Sequence, residues 1–159
     1  DLVSRLNKDI KKVGVFVNSS IGEINETINF CGLDIVQLHG DESPEDCKGI
    51  NGEVWKAFRM KKKADNKEIK NFKVQGYLFD AFHKSAYGGT GISFAWDLLD
   101  GIICSGKVIL AGGISDNNIE DALKLKIVDC IDVSSGVETN GIKDYLKMKK
   151  IIERVRAVD

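Results

Sequence analysis

The chain has 159 residues, 43% of them hydrophobic and 30% charged, and its 23 Lys+Arg against 24 Asp+Glu give a formal net charge of -1. That length supports one domain with its own core, and the charge balance lacks the basic excess that makes nucleic acid an expected partner. No apolar run nears the roughly 18 residues of a membrane helix and no stretch has a signal-peptide pattern, so no membrane partner is expected either. Cys31, Cys47, Cys104 and Cys130 show no metal-ligand spacing and read as free thiols of a reducing cytoplasm.

Asp1–Lys12 reads as the tail of a helix. A strand at Val13–Val17 follows, then a helical pattern at Glu23–Phe30 that Gly32 stops. After a second strand, Ile35–His39, the run Ser43-Pro44-Glu45-Asp46 supplies an N-cap, a proline at the first helical position and an acidic third residue. Val54–Arg59 is the third strand, and the lysines at 61–63 read as a solvated loop. Gly76–Asp80 is the fourth. The longest connection comes next and holds Tyr87-Gly88-Gly89-Thr90-Gly91, in the kind of loop where function concentrates. A fifth strand, Lys107–Ala111, runs into Gly112-Gly113, and Ser115 or Asn117 is placed to cap a helix at Asn118–Lys126. The sixth, Cys130–Ser134, runs into Ser135-Gly136. The last helix, about Lys143–Val158, sets Met148, Ile151, Ile152 and Val155 on one stripe.

Strands starting at 13, 35, 54, 76, 107 and 130, with helical patterns between them, form a βα repeat. Their near-continuous apolar character implies a parallel sheet covered by helices. His39, Asp80, Gly112-Gly113 and Ser134-Ser135 all stand at C-terminal strand ends. An open doubly wound sheet forms its site at one switch point, whereas a barrel brings every strand end to one mouth. The expectation is therefore an α/β fold, a (β/α)8 TIM barrel with six of its eight strands in residues 1–159 as a single partial domain. Two further units at this spacing amount to roughly 45 residues, expected before Asp1.

The turns at 112–113 and 134–135 present small residues, each opening toward an expected helix. Bare backbone N–H groups and a helix N-terminus suit an oxyanion there. Two such turns on successive strands point to one shared phosphate cradle formed by Gly112, Gly113, Ser134 and Ser135, and hence to a small phosphorylated substrate.

Taken in order, Val13-Gly14-Val15-Phe16-Val17-Asn18, Val36-Gln37-Leu38-His39-Gly40, Phe79-Asp80-Ala81, Tyr87-Gly88-Gly89-Thr90-Gly91, Ala111-Gly112-Gly113 and Asp132-Val133-Ser134-Ser135-Gly136-Val137-Glu138 span nearly the whole chain. The set resembles the phosphoribosylanthranilate isomerase family of tryptophan biosynthesis. The resemblance implies a (β/α)8 barrel and an Amadori rearrangement of N-(5-phosphoribosyl)anthranilate to 1-(2-carboxyphenylamino)-1-deoxyribulose 5-phosphate. It implies no metal or organic cofactor, a phosphosugar as the only small-molecule partner, and a cytoplasmic monomer or homodimer. The six strands become the family's third to eighth.

On the same resemblance, Asp80 is the general acid that protonates the ribose ring oxygen, with an N-cap or loop carboxylate as the plainer alternative. Asp132 lies two positions before Ser134 and faces the same way, so it contacts ribose hydroxyls or makes a structural bond to a neighbouring strand. Gln37 and His39 share a strand face, with His39 toward the anthranilate or simply structural. Gly88 and Gly89 shape the mouth and face substrate, or are ordinary turn glycines. His83 reads as surface.

The family's general base is a cysteine in a Lys-Ile-Cys-Gly segment, and that segment is absent from this sequence. Cys31-Gly32 ends a helix, Cys130 begins a strand, and Cys47 and Cys104 fall on a helix and near a connection, so none is the base. Neither Arg5 nor Arg59 has the context of the family's substrate-carboxylate arginine. These 159 residues alone are therefore expected to be inactive. Other phosphosugar barrels, such as indoleglycerol-phosphate synthase or ribulose-phosphate epimerase, or a non-catalytic phosphate-binding remnant, are the alternatives.

Overall fold

A computed structural model describes residues 3–62, 66–81 and 96–158. Its elements in chain order are β1 (Val13–Phe16), α1 (Ile21–Cys31), β2 (Ile35–Leu38), α2 (Pro44–Lys48), β3 (Glu53–Met60), α3 (Asn66–Asn71), β4 (Gly76–Ala81), β5 (Lys107–Leu110), α4 (Ile119–Leu123), β6 (Cys130–Ile131), a hairpin of β7 (Glu138–Thr139) and β8 (Ile142–Lys143), and α5 (Tyr145–Arg156).

The first six strands form one parallel sheet in the order β1-β2-β3-β4-β5-β6. A doubly wound sheet reverses its order at a switch point. Here every strand pairs with its successor, which is the order of a barrel. Alternation along each strand splits the apolar residues into two cores. Val36, Leu38, Tyr77, Phe79 and Leu110 face outward and pack with Ile24 of α1, Ile69 of α3, Ile119 of α4 and Ile151 of α5. Ala57, Leu78, Ile109 and Ala111 face inward, with Trp55 and Cys130 against them. On β1 and just past it, the inward residues Val13, Val15 and Val17 are 38%, 59% and 40% exposed, so the inner core lies open along that edge.

Local chemistry explains where the elements start and stop. Ser20 accepts from the backbone N–H of Glu23 while the Glu23 carboxylate accepts from Ser20, a full capping box. Gly32 ends α1 at φ 62°, the left-handed position glycine tolerates best. Ser43 and Asp46 make the second capping box with Pro44 inside it, as their spacing implies, although α2 runs for only five residues.

Other expectations are corrected. Residues 3–5 form a single 3-10 turn rather than a helix tail. Ahead of α4, Asn118 turns its side chain back to accept from the Ser115 N–H and to donate to the Gly113 carbonyl, so neither Ser115 nor Asn117 caps the helix in the expected way. β6 is only Cys130–Ile131, because the chain turns away at Ser134 into the 3-10 turn that follows. α5 starts at Tyr145, where Asp144 accepts from the backbone N–H groups of Leu146 and Lys147. On its stripe Ile151 is buried and Met148 and Val155 pack on the core, while Ile152 lies at the margin, 48% exposed.

Candidate active site at the strand ends

The inward rows converge at the C-terminal ends of the strands on one cavity of 340 Å³. It is lined by Val15, Gln37, His39, Asp80, Ala111, Gly112, Gly113, Ile114, Asp132, Ser134 and Ser135. Residues on or just past five different strands share this single space, which requires the sheet to curl. The structure thus gathers every expected site residue that it describes. Gly88 and Gly89, like His83, lie outside the described residues.

Asp80 ends the inward row of β4 and is 4% exposed. Its Oδ1 accepts from the Ala81 N–H at 2.7 Å. Its Oδ2 lies 3.0 Å from Nε2 of His39, and Nδ1 of the same ring lies 3.0 Å from Nε2 of Gln37. Both polar atoms of the imidazole therefore already have protein partners. Asp132 follows β6 on the same inward face, and its N–H continues the ladder to the Leu110 carbonyl at 2.8 Å. Burial first, and then the charge of Asp80, push the Asp132 carboxyl above the ordinary aspartate range, against the opposing pull of His39 and Lys143.

The two small-residue turns face these carboxylates. Gly112 and Gly113 hold φ 83° and 65°. A Cβ on Gly112 would stand 2.5 Å from the Ala81 nitrogen and 2.6 Å from Asp80 Oδ1, so both conformation and space demand glycine. A Cβ on Gly136 would stand 1.8 Å from the Ile114 carbonyl oxygen, which shows how tightly the two turns pack together. The expected pair of helix N-termini is not what opens here. Ser134 leads into a three-residue 3-10 turn, and α4 begins six residues past Gly113, so the cradle is made of turn backbone.

Lys143 was not anticipated. From β8 its ammonium donates to the Ser134 carbonyl at 2.9 Å and Ser134 Oγ at 3.2 Å and pairs with Glu138 Oε1 at 2.6 Å, so an ion pair braces the second turn. Asn140-Gly141, with φ 53° and 78°, is the hairpin turn that brings it there. Arg59 stands in register with Asp80 on β3 and pairs with Asp41 of the β2–α2 loop. A larger cleft of 580 Å³ lies along β3, that same loop and α3, apart from this cavity.

None of the four cysteines lines the cavity. Cys31 closes α1, Cys47 lies in α2, Cys104 precedes β5 and Cys130 opens β6. Burial pushes the Cys47 thiol up to about 11 and raises those of Cys104 and Cys130, the reverse of what a proton-abstracting thiolate needs. Among the described residues no group of three or more His, Cys, Asp or Glu is placed to hold a metal ion.

A parallel, barrel-ordered α/β sheet with one polar cavity at its C-terminal strand ends defines a protein of the (β/α)-barrel enzyme class. Residues 3–154 match the family N-(5'phosphoribosyl)anthranilate (PRA) isomerase. The N-(5'-phosphoribosyl)anthranilate isomerase of Thermoanaerobacter sp. (strain X514) is 45% identical over 159 residues, covering 99% of this chain and 78% of that protein. The crystal structure of phosphoribosyl anthranilate isomerase from Thermus thermophilus superposes with a TM-score of 0.87 at 28% identity, over 98% of this chain and 77% of the other. A phosphoribosyl anthranilate isomerase solved in complex with reduced 1-(o-carboxyphenylamino)-1-deoxyribulose 5-phosphate matches at TM-score 0.76 and 27% identity, over 98% and 76%. The chain belongs to the N-(5'-phosphoribosyl)anthranilate isomerase family.

Proposed function

We propose that this protein isomerises N-(5-phosphoribosyl)anthranilate to 1-(2-carboxyphenylamino)-1-deoxyribulose 5-phosphate in tryptophan biosynthesis. The observation that carries the reading is the single cavity in which Asp80 and Asp132 face the turns at 112–113 and 134–135. The relative solved with the reduced product analogue supports the substrate class.

In this reading the phosphate rests on Gly112, Gly113, Ser134 and Ser135, with Lys143, paired to Glu138, bracing Ser134 from behind. Asp132 receives ribose hydroxyls, whose donors offset the cost of its buried charge. Asp80 donates a proton to the ring oxygen as the C1–O bond breaks and the nitrogen lone pair moves in to form the iminium. A base then removes the C2 proton, and the resulting enolamine relaxes to the ketose. The six strands correspond to the family's third to eighth. The base belongs to a Cys-Gly strand end outside these 159 residues, because the four cysteines here stand away from the cavity.

The test is an assay of the full-length gene product with N-(5-phosphoribosyl)anthranilate, following loss of its fluorescence. Turnover by that product and none by the 159-residue polypeptide is expected. A folded, inactive full-length protein would overturn the assignment, and an active 159-residue polypeptide would overturn the placement of the base.

A further inference from the structure

Gln37, His39 and Asp80 make a continuous buried chain, 5%, 5% and 4% exposed, with both links at 3.0 Å. Its geometry is unusual for a parallel sheet. His39 extends β2, its N–H bonded to the Phe16 carbonyl at 2.8 Å, while Asp80 is on β4. Adjacent strands lie about 4.8 Å apart, so the two backbones are separated by roughly twice that, with β3 between them. The inward residue of β3 at the level of His39 is the small Ala57, and the one at the level of Asp80 is Arg59, which pairs with Asp41 of the β2–α2 loop.

The links also have a direction. The Gln37 amide donates from Nε2 and so makes Nδ1 of His39 an acceptor. A neutral imidazole then carries its proton on Nε2 and donates it to Asp80 Oδ2. With Oδ1 held by the Ala81 N–H, both carboxylate oxygens are pinned from the protein side, which fixes the plane of the carboxylate and leaves the remaining lone pairs to face the cavity.

We propose that His39 is a positioning residue for the isomerisation: it holds Asp80 in the orientation that reaches the substrate ring oxygen, with Gln37 setting the imidazole tautomer. This replaces the expectation that His39 contacts the anthranilate, and it rests on the reading of Asp80 as the acid. Held in this way, Asp80 does not have to be oriented anew when substrate arrives, and pre-orientation acts on kcat more than on substrate binding.

The experiment is a kinetic double-mutant cycle in the full-length gene product, with variants His39→Leu, His39→Gln, Asp80→Asn and the His39→Leu/Asp80→Asn double. His39→Leu is expected to lower kcat by about 30- to 100-fold with KM within about twofold of the parent. His39→Gln, whose amide N–H can stand near Nε2, should restore most of that loss. In the Asp80→Asn background His39→Leu should cost nothing further, because a residue acting through Asp80 has nothing left to act on. A raised KM at unchanged kcat, or losses that simply multiply in the double variant, would overturn the proposal. If Asp80→Asn alone keeps full activity, the reading of Asp80 fails, and this proposal with it. If Asp80→Asn is crippled while His39→Leu is not, only the positioning role fails. Should His39→Leu not fold, Gln37→Leu keeps the imidazole and is expected to lower kcat by about 5- to 10-fold at constant KM, and an unchanged kcat there would overturn the proposal.

Discussion

Two groups of buried charge sit at the same ends of neighbouring strands. On the outer side of β3, Lys56 is 4% exposed and its ammonium donates to the Leu38 and Gly40 carbonyls and to Glu42 Oε2 at 2.9 Å. Glu42 in turn accepts from the Asn18 and Gly40 N–H groups. Each charge there has an opposite charge and backbone partners, and the pair ties the loops after β1 and β2 to β3. On the inner side, Asp80 and Asp132 face one cavity with one histidine bonded to one of them, and the Asp132 carboxyl is driven up by burial and by its neighbour. Buried charge that is fully matched within the protein is bracing. Carboxyl groups crowded around a space, one buried and one half-buried, are held at a cost to the fold and suit a ligand from outside.

Four substitutions can break or sharpen that contrast. Asp80→Asn is expected to lower kcat by roughly 10²–10⁴-fold while the protein stays folded, read by the fluorescence assay alongside circular dichroism. Normal turnover would place Asp80 with the bracing charges. Lys56→Met does the opposite. It strands the Glu42 carboxylate without its cation and is expected to destabilise the fold by about 3–5 kcal/mol, seen as a lower urea midpoint, with kcat per folded molecule within about twofold of the parent. Gly113→Val puts a β-branched residue at φ 65° on the cradle, and KM should rise by about tenfold or more, while an unchanged KM would remove the phosphate from that turn.

Asp132→Asn is the smallest effect and the most telling in sign. It should raise KM and also stabilise the fold at neutral pH by about 0.5–2 kcal/mol. The folded-state pKa of Asp132 lies above its ordinary value of 3.8, so between the two values the native state holds a proton that the unfolded chain has released. Stability from that proton is fully present below the unfolded value and is lost as pH rises through the folded one. The advantage of Asp132→Asn over the parent should therefore open across that window and then level off, as measured by thermal melts at successive pH values. A destabilised Asp132→Asn at neutral pH would mean that Asp132 is matched in the way Glu42 is.

The six strands were legible because each is a short β-branched run closed by a polar or glycine end, a local signal. The inward-facing residues followed from alternation, and the diglycine and Ser-Ser turns from the smallness of their residues. What failed depends on distant partners. β6 looks five residues long by composition, yet only its first two are in register with β5, because the chain turns at Ser134 to pack against the turn after β5. The β7–β8 hairpin has no place in a reading that starts the last helix at about Lys143, although Asn140-Gly141 is a strong short-range hairpin signal, and the placement of Lys143 on Ser134 goes with it. The meeting of His39 with Asp80 joins residues from two strands with β3 between them, which no single segment can announce.

Gly112 abuts Asp80 so closely that a single added carbon would collide with the carboxylate oxygen. On the proposed reading, the turn that grips the far end of the substrate and the group that acts on its ring are therefore in direct contact. A sugar stripped of its phosphate is then expected to suffer in turnover as well as in affinity, since the anchor is also what presses the reacting end into line. Refitting this pocket for an uncharged sugar would need more than a new turn, because reshaping the anchor also disturbs the seat of the acid.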